Sequence, residues 1–170
     1  MSLRIFVTTF RTFPYKHWAL NIQLPDGNQF ECYQISGAAH RFAYETRIVR
    51  NPEGTRRWAE SIELGHISED QLEQVRKLAE TQELENHDKD WHCQRWTLAL
   101  VHTLKDEGII QPTEKSMNQL NSAYERYPSV WDWMCLGYDF NRSLVLGAYE
   151  DVSEFFTSRG AETGAVEDNK

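Results

Sequence analysis

Residues 17–36 read HWALNIQLPDGNQFECYQIS, two segments of alternating apolar residues on either side of an Asp-Gly pair. In the first segment every second residue is apolar, and these residues are Trp18, Leu20, Ile22 and Leu24. A period of two predicts a half-buried strand. Because glycine adopts a positive φ without steric cost, Asp26-Gly27 predicts a tight hairpin turn. Phe30–Ser36 is therefore expected to pair back as an antiparallel strand.

Further strands are expected on both sides of this hairpin. Leu3–Phe10 is rich in β-branched and aromatic residues, which is typical of a strand. Arg41–Val49 alternates again, until Asn51-Pro52-Glu53-Gly54 interrupts the pattern. The amino-terminal part therefore predicts a meander of three or four antiparallel strands.

Helical periodicity dominates after residue 67. Ser68-Glu69-Asp70-Gln71 is a capping-box pattern that opens a first helix. A second helix is predicted from about Trp91 to Glu107, followed by Gly108 as its terminator. A third, more polar helix reaches about Tyr124. The predicted fold class is α+β, with an antiparallel sheet of about four strands packed on a helical part.

The carboxyl-terminal segment contains shorter patterns. Residues 130–138 are aromatic and are not assigned, residues 143–149 predict a strand, and residues 150–156 predict a short helix. Small and polar residues from 159 to 170 predict a disordered tail. Residues 1–158 are therefore expected to form one domain.

Composition excludes several classes of function. Of 170 residues, 26 are acidic and 18 are basic, which gives a net charge of −8; such a surface repels phosphate backbones, so no nucleic-acid partner is expected. No apolar run approaches the ~20 residues of a membrane span, and the first 20 residues do not read as a secretory signal. We expect a cytoplasmic protein without a transmembrane segment.

The cysteines argue against a metal or another cofactor. Cys32, Cys93 and Cys135 are far apart and form no Cys-x-x-C pair or regular Cys/His spacing. The sequence also lacks a glycine-rich phosphate loop. The expectation is free thiols, no metal and no cofactor.

The motif Trp91-His92-Cys93-Gln94-Arg95-Trp96 opens the strongly periodic second helix. A cysteine in the first turn of a helix meets unpaired amides and the positive end of the helix dipole, which favour thiolate over thiol. This is a favourable position for a nucleophile. The alternative is that Cys93 is a small apolar residue of the core.

A cysteine nucleophile needs a base, and the hairpin register offers one. The turn places Leu24 opposite Gln29, so that Ala19 lies opposite Gln34 and His17 opposite Ser36. His17 and Gln34 then share one face, where a polar side chain could orient the imidazole. The alternative is that both are ordinary strand residues.

Three segments of the chain resemble circularly permuted papain-like cysteine enzymes in their order and spacing. They are the His-Trp-Ala-Leu strand, the Tyr33-Gln34-Ile35-Ser36-Gly37 segment and the His-Cys-Gln-Arg-Trp motif. This group of enzymes includes NlpC-type peptidases and the lecithin:retinol acyltransferase family, and the chain looks closest to its small fungal members. The resemblance covers about residues 4 to 110. It implies a permuted papain-like fold, Cys93 as nucleophile, His17 as general base and then acid, and Gln34 at the third position.

Two residues depart from the pattern of that group. Gln34 stands where relatives often have a second histidine, and it cannot carry charge. His92 replaces the common asparagine before the cysteine. Either change could alter the rate, the substrate or the ability to perform acyl chemistry.

The expected function is a cofactor-independent thiol hydrolase or acyltransferase that acts on an amide, ester or thioester. Its partner would be a small-molecule or an acyl or peptidyl substrate. The oxyanion would bind the Cys93 backbone amide, with His92 or Gln94 as a further donor.

Two alternatives stay open. One is a papain-like scaffold reused as a non-hydrolytic small-molecule cyclase or binding protein in fungal specialised metabolism. The departures at Gln34 and His92 motivate it, together with aromatic residues that could line a ligand pocket, namely Trp58, Trp131, Trp133 and Tyr138. The other is a peptidase acting on ubiquitin-like tails.

Overall fold

The computed structural model of the chain describes residues 1–12, 16–88 and 90–125. Five strands come first, and they are β1 (Ser2–Phe10), β2 (His17–Gln23), β3 (Phe30–Ser36), β4 (Ala43–Val49) and β5 (Trp58–Ser68). A 3₁₀ turn at Glu69–Gln71 leads into three helices, which are α1 (Leu72–Thr81), α2 (Cys93–Asp106) and α3 (Glu114–Glu125). The α+β class is confirmed. The expected elements at 143–149 and 150–156, the tail from 159 and Cys135 lie outside the described residues.

The strands form one antiparallel sheet in the order β4-β3-β2-β1-β5. The four-strand meander is therefore correct, and β5 is an additional strand on the outer side of β1. Its apolar alternation is broken because the pairing with β1 shifts register between Ile5 and Phe6, next to Gly65 with φ +118°. This bulge moves the buried positions from Ile62 and Leu64 to Ile67.

The β2–β3 hairpin has the predicted register, with Leu20 opposite Tyr33 and Gln23 opposite Phe30. The predicted turn is wrong in detail. The amide of Gly27 donates to the carbonyl of Leu24 at 2.9 Å, so Pro25 and Asp26, not Asp26 and Gly27, occupy the centre of the turn. Proline presets the φ of the first central position, and Gly27 follows with φ +72°.

Both faces of β2 are buried, so the prediction of a half-buried strand is wrong. Trp18, Leu20 and Ile22 belong to the core cluster that also holds buried residues of all three helices. Ala19 and Asn21, on the opposite face, are also fully buried. The neighbours of Asn21 on this face, Phe6 on β1 and Cys32 on β3, are buried as well, so the second face of the sheet is covered at its centre.

The helices begin and pack as their sequence pattern predicts. Both hydrogen bonds of the capping box between Ser68 and Gln71 are present. The α2 stripe of Leu100, Val101 and Leu104 is fully buried, and each such side chain stabilises the fold by roughly 1.5–3 kcal/mol. Among the helices of the described residues, none has the length and apolar character required to cross a lipid bilayer.

An ion pair ties α1 to the sheet. The guanidinium of Arg76 donates to both carboxylate oxygens of Glu31 on β3, at 2.8 to 3.1 Å. Glu31 is 6% exposed, so removal of Arg76 would leave a buried carboxylate without its ion pair. The contact fixes the strand that carries Gln34 against the helical layer.

Candidate active site

The first residue of β2 and the first residue of α2 meet at one end of the sheet. They are His17 and Cys93. The carbonyl of Lys16 lies 3.9 Å from Cys93 Sγ and accepts a hydrogen bond from Gln94 Nε2 at 2.8 Å. Gln94 is fully buried, so this bond holds the start of the helix against the start of the strand.

Cys93 and His17 form a thiol–imidazole pair. The two side chains interact electrostatically, and Cys93 is the first of the groups that raise the pKa of His17. Burial acts to lower the pKa of His17, but the facing Cys93, the hydrogen bond to Gln34 and the carboxylate of Glu45 outweigh it, and the pKa is raised. The protonated imidazole is therefore stabilised where it faces the sulfur.

A row of polar side chains continues from His17 across the next two strands. His17 Nε2 lies 2.8 Å from Gln34 Oε1, and Gln34 Nε2 donates to Glu45 Oε2 at 3.0 Å. Arg47 also donates to the Glu45 carboxylate. Burial would raise the pKa of Glu45, but the hydrogen bonds from Arg47 and Gln34 lower it, so the carboxylate is charged at neutral pH.

Glu45 is a site residue that the sequence reasoning missed. The sequence carried part of the signal, because it predicts that β3 and β4 are adjacent; the structure adds that Glu45 lies directly opposite Gln34. The register of this second hairpin does not follow from the sequence, because the six-residue connection from Gly37 to Phe42 contains no standard two-residue turn.

The structure gives His92 and Gln94 separate environments. His92 precedes α2 in an extended conformation, and its ring stacks on Tyr124 at a centroid distance of 6.1 Å. Burial, helped by the charge of Arg95, lowers the pKa of His92 to about 4, so the ring is neutral at neutral pH. The side-chain N–H of Gln94 donates to the Lys16 carbonyl. The backbone amide of Cys93, at the start of the helix, is then the remaining candidate among the predicted oxyanion donors.

The loop that leads into α2 is fixed by two side chains. Asn86 donates to the carbonyl of Phe42 at 2.9 Å and accepts from its amide at 2.8 Å. Asp88 accepts from Arg95 at 2.6 Å and from the backbone of Asp90 at 2.9 Å. The approach to Cys93 is thereby anchored both to the β3–β4 connection and to the first turn of α2.

The two free thiols of the described residues differ in their surroundings. Cys32 lies on β3 opposite Asn21 and is 7% exposed, and burial raises its pKa to about 12. Cys93 is the thiol that contacts an imidazole. Within the described ranges, no three His, Cys, Asp or Glu side chains lie close enough to hold a metal ion.

These features define an α+β protein with a cysteine–histidine pair where a helix and a central strand begin. A sequence profile described as a family of unknown function, DUF6540, matches residues 5–111, and the chain belongs to this family. The matched region includes His17, Gln34, Glu45 and Cys93. No curated protein matches the chain, and no solved structure does. The resemblance to papain-like enzymes therefore stays a prediction.

Proposed function

We propose that this protein is a cysteine-dependent hydrolase or acyltransferase that acts on an amide, ester or thioester. The observation that carries the proposal is the position of His17 between two partners. One side of the ring faces Cys93, and Nε2 meets the Gln34 carbonyl oxygen at 2.8 Å. A nucleophile, a base and a residue that orients the base are the three parts of a triad.

In the proposed reaction His17 takes the Cys93 proton and the sulfur attacks the substrate carbonyl. The backbone amide of Cys93 at the start of α2 stabilises the oxyanion, because this N–H has no partner within the helix. His17 then protonates the leaving group, and a thioester forms between substrate and enzyme. Attack by water gives hydrolysis, and attack by another nucleophile gives transfer.

The order of the site residues supports a permuted papain-like architecture. The histidine strand β2 precedes the cysteine helix α2 in the chain, as in the permuted enzymes that the sequence resembles. The third residue lies on the strand next to the histidine strand. The five-strand antiparallel sheet with a cysteine at a helix start is compatible with this fold.

Alkylation by iodoacetamide, mapped by mass spectrometry as a function of pH, tests the proposal. We expect Cys93 to react faster than Cys32 below about pH 7, since an ordinary thiol with a pKa near 8.5 is mostly protonated there. His17→Ala should slow the labelling of Cys93. His66→Ala, which removes an exposed strand histidine, is the matched control and should have no effect.

Two results would overturn the proposal. Labelling of Cys93 that is the same in wild type and His17→Ala would show that no working pair exists. Full turnover by Cys93→Ser, on any ester, thioester or amide that the wild-type protein cleaves, would exclude cysteine catalysis.

The burial of Cys93 favours a second candidate function. Cys93 is 2% exposed, so a substrate carbonyl reaches the sulfur only if neighbouring groups move. A non-hydrolytic cyclase or a binding protein of the same fold would not need an accessible sulfur. In that case iodoacetamide leaves Cys93 unmodified in the native protein and modifies it after denaturation.

A further inference from the structure

We propose that Glu45 is a positioning residue of the site: its carboxylate holds the Gln34 amide with the oxygen towards His17, which keeps the proton on His17 Nε2 and presents Nδ1 to Cys93. This inference rests on the proposed function, and it identifies a fourth member of the arrangement. Cys93, His17 and Gln34 alone do not fix the orientation of the Gln34 amide.

The argument starts from what a carboxylate can do. An ionised carboxylate only accepts hydrogen bonds, and Glu45 lies 3.0 Å from the Gln34 amide nitrogen. The nitrogen of the Gln34 amide must therefore face Glu45, and the oxygen must face the opposite way. An amide without such a partner can be rotated by 180° with little change in shape, so Glu45 removes this ambiguity.

The orientation of Gln34 then determines the tautomer of His17. Gln34 Oε1 is an acceptor and lies 2.8 Å from His17 Nε2, so Nε2 must carry a proton. In the neutral imidazole the other nitrogen, Nδ1, is then the acceptor. This is the nitrogen left to take a proton from Cys93.

Arg47 is one of the residues whose hydrogen bonds favour the ionised form of Glu45. It donates to the carboxylate from the same strand, and Gln34 donates from β3. An ionised Glu45 also places a negative charge near the end of the row opposite to Cys93. That charge stabilises the imidazolium of His17 further, in addition to the hydrogen bond that Gln34 accepts.

Several titratable or charged groups surround the row. Cys93 faces His17 from α2, and Glu45 and Arg47 face it from β4. Cys32 on β3 senses both charges of β4. Lys16, adjacent to His17, is engaged by Glu60 on β5 at 3.8 Å. Glu45 is the group of this set that reaches His17 through a continuous chain of hydrogen bonds.

Nitrogen NMR of the histidine rings in the full-length protein tests the inference. Wild type should give a single His17 tautomer with Nε2 protonated. Glu45→Gln should give a mixture of tautomers, because the replacement amide can donate as well as accept. His17 should also titrate at lower pH, because the negative charge that stabilises its imidazolium is lost. Glu63→Gln removes another strand carboxylate that is paired with an arginine, Arg4, and should match wild type.

Arg47→Gln separates a charge effect from simple disruption of the ion pair. This variant breaks the same pair but leaves the carboxylate in place. We expect the Nε2-protonated tautomer to persist and His17 to titrate at the wild-type pH or higher, opposite in sign to Glu45→Gln. Equal shifts in the two variants would overturn the proposal, and so would an unchanged tautomer in Glu45→Gln.

The NMR result does not depend on activity. If Cys93 shows no His17-dependent labelling, the proposed function fails whatever the tautomer is. If the labelling is present and Glu45→Gln leaves the His17 ring unchanged, only the role of Glu45 is refuted.

Discussion

Replacing Gln34 with leucine removes the side chain that connects His17 to Glu45. In the folded protein the amide accepts from His17 at 2.8 Å and donates to Glu45 at 3.0 Å. Gln34 is 5% exposed, so water does not readily replace either contact. Leucine fills a similar volume, and the change therefore removes polar contacts with little loss of packing.

The size of the effect follows from these two contacts. A hydrogen bond to a charged group contributes about 1.5–3 kcal/mol. Without Gln34 the imidazolium of His17 loses such a bond, so the rate of Cys93 labelling near pH 6 should fall by roughly tenfold to a hundredfold. Arg47 still binds Glu45, so the free energy of unfolding should fall by about 1–3 kcal/mol.

The assay combines the iodoacetamide labelling rate at several pH values with urea unfolding. Gln23→Leu is the matched control, because Gln23 lies on the same hairpin and its amide donates to the carbonyl of Gly27 at an exposed position. Wild-type labelling and unfolding in Gln34→Leu would refute the reasoning. Equal losses in Gln34→Leu and Gln23→Leu would show that the hairpin, and not the contact with His17, is responsible.

Three further changes test other parts of the molecule. The pKa of His92 is lowered to about 4, so between about pH 4 and 6.5 only the unfolded chain binds a proton at this ring. The free energy of unfolding should therefore rise with pH across that window. Urea unfolding at both ends of the window measures this rise, and an equally steep rise in His92→Asn would contradict the prediction. Burial raises the pKa of Cys32 to about 12, so peptide mapping should find Cys32 alkylated at neutral pH only after denaturation. Arg76→Met deprives the buried Glu31 carboxylate of three hydrogen bonds and should lower the free energy of unfolding by about 1–3 kcal/mol. The control Glu73→Gln removes only an exposed partner of Arg76 and should change the free energy of unfolding by less than ~0.5 kcal/mol. Equal effects of the two variants in urea unfolding would show that the buried contact is not stabilising.

The predictable part of the fold is the part that local pattern determines. The register of the β2–β3 hairpin follows from two alternating segments and a short turn, and it places His17 and Gln34 on one face. The capping box at Ser68 and the start of α2 at Cys93 also depend on residues close in sequence. These local patterns were sufficient to predict that His17 and Gln34 lie close together.

The missed features depend on interactions between distant segments. β5 pairs with β1, and the bulge at Gly65 breaks the alternation by which a strand is recognised. The burial of Ala19 depends on what covers the second face of the sheet, which the alternation within β2 does not reveal. Glu45 acquires its role only through pairing with Gln34 and Arg47, which a pattern within one segment cannot reveal.

The row from His17 to Glu45 also has a consequence for the order of folding. Its two hydrogen bonds join residues that are 17 and 11 positions apart, whereas the contact of Cys93 with Lys16 joins residues 77 positions apart. Closing a longer loop costs more chain entropy, and contacts of low sequence separation form faster. The two hairpins can therefore assemble the base and its supporting side chains before the cysteine helix docks, so that the nucleophile arrives at a site whose acid–base half already exists.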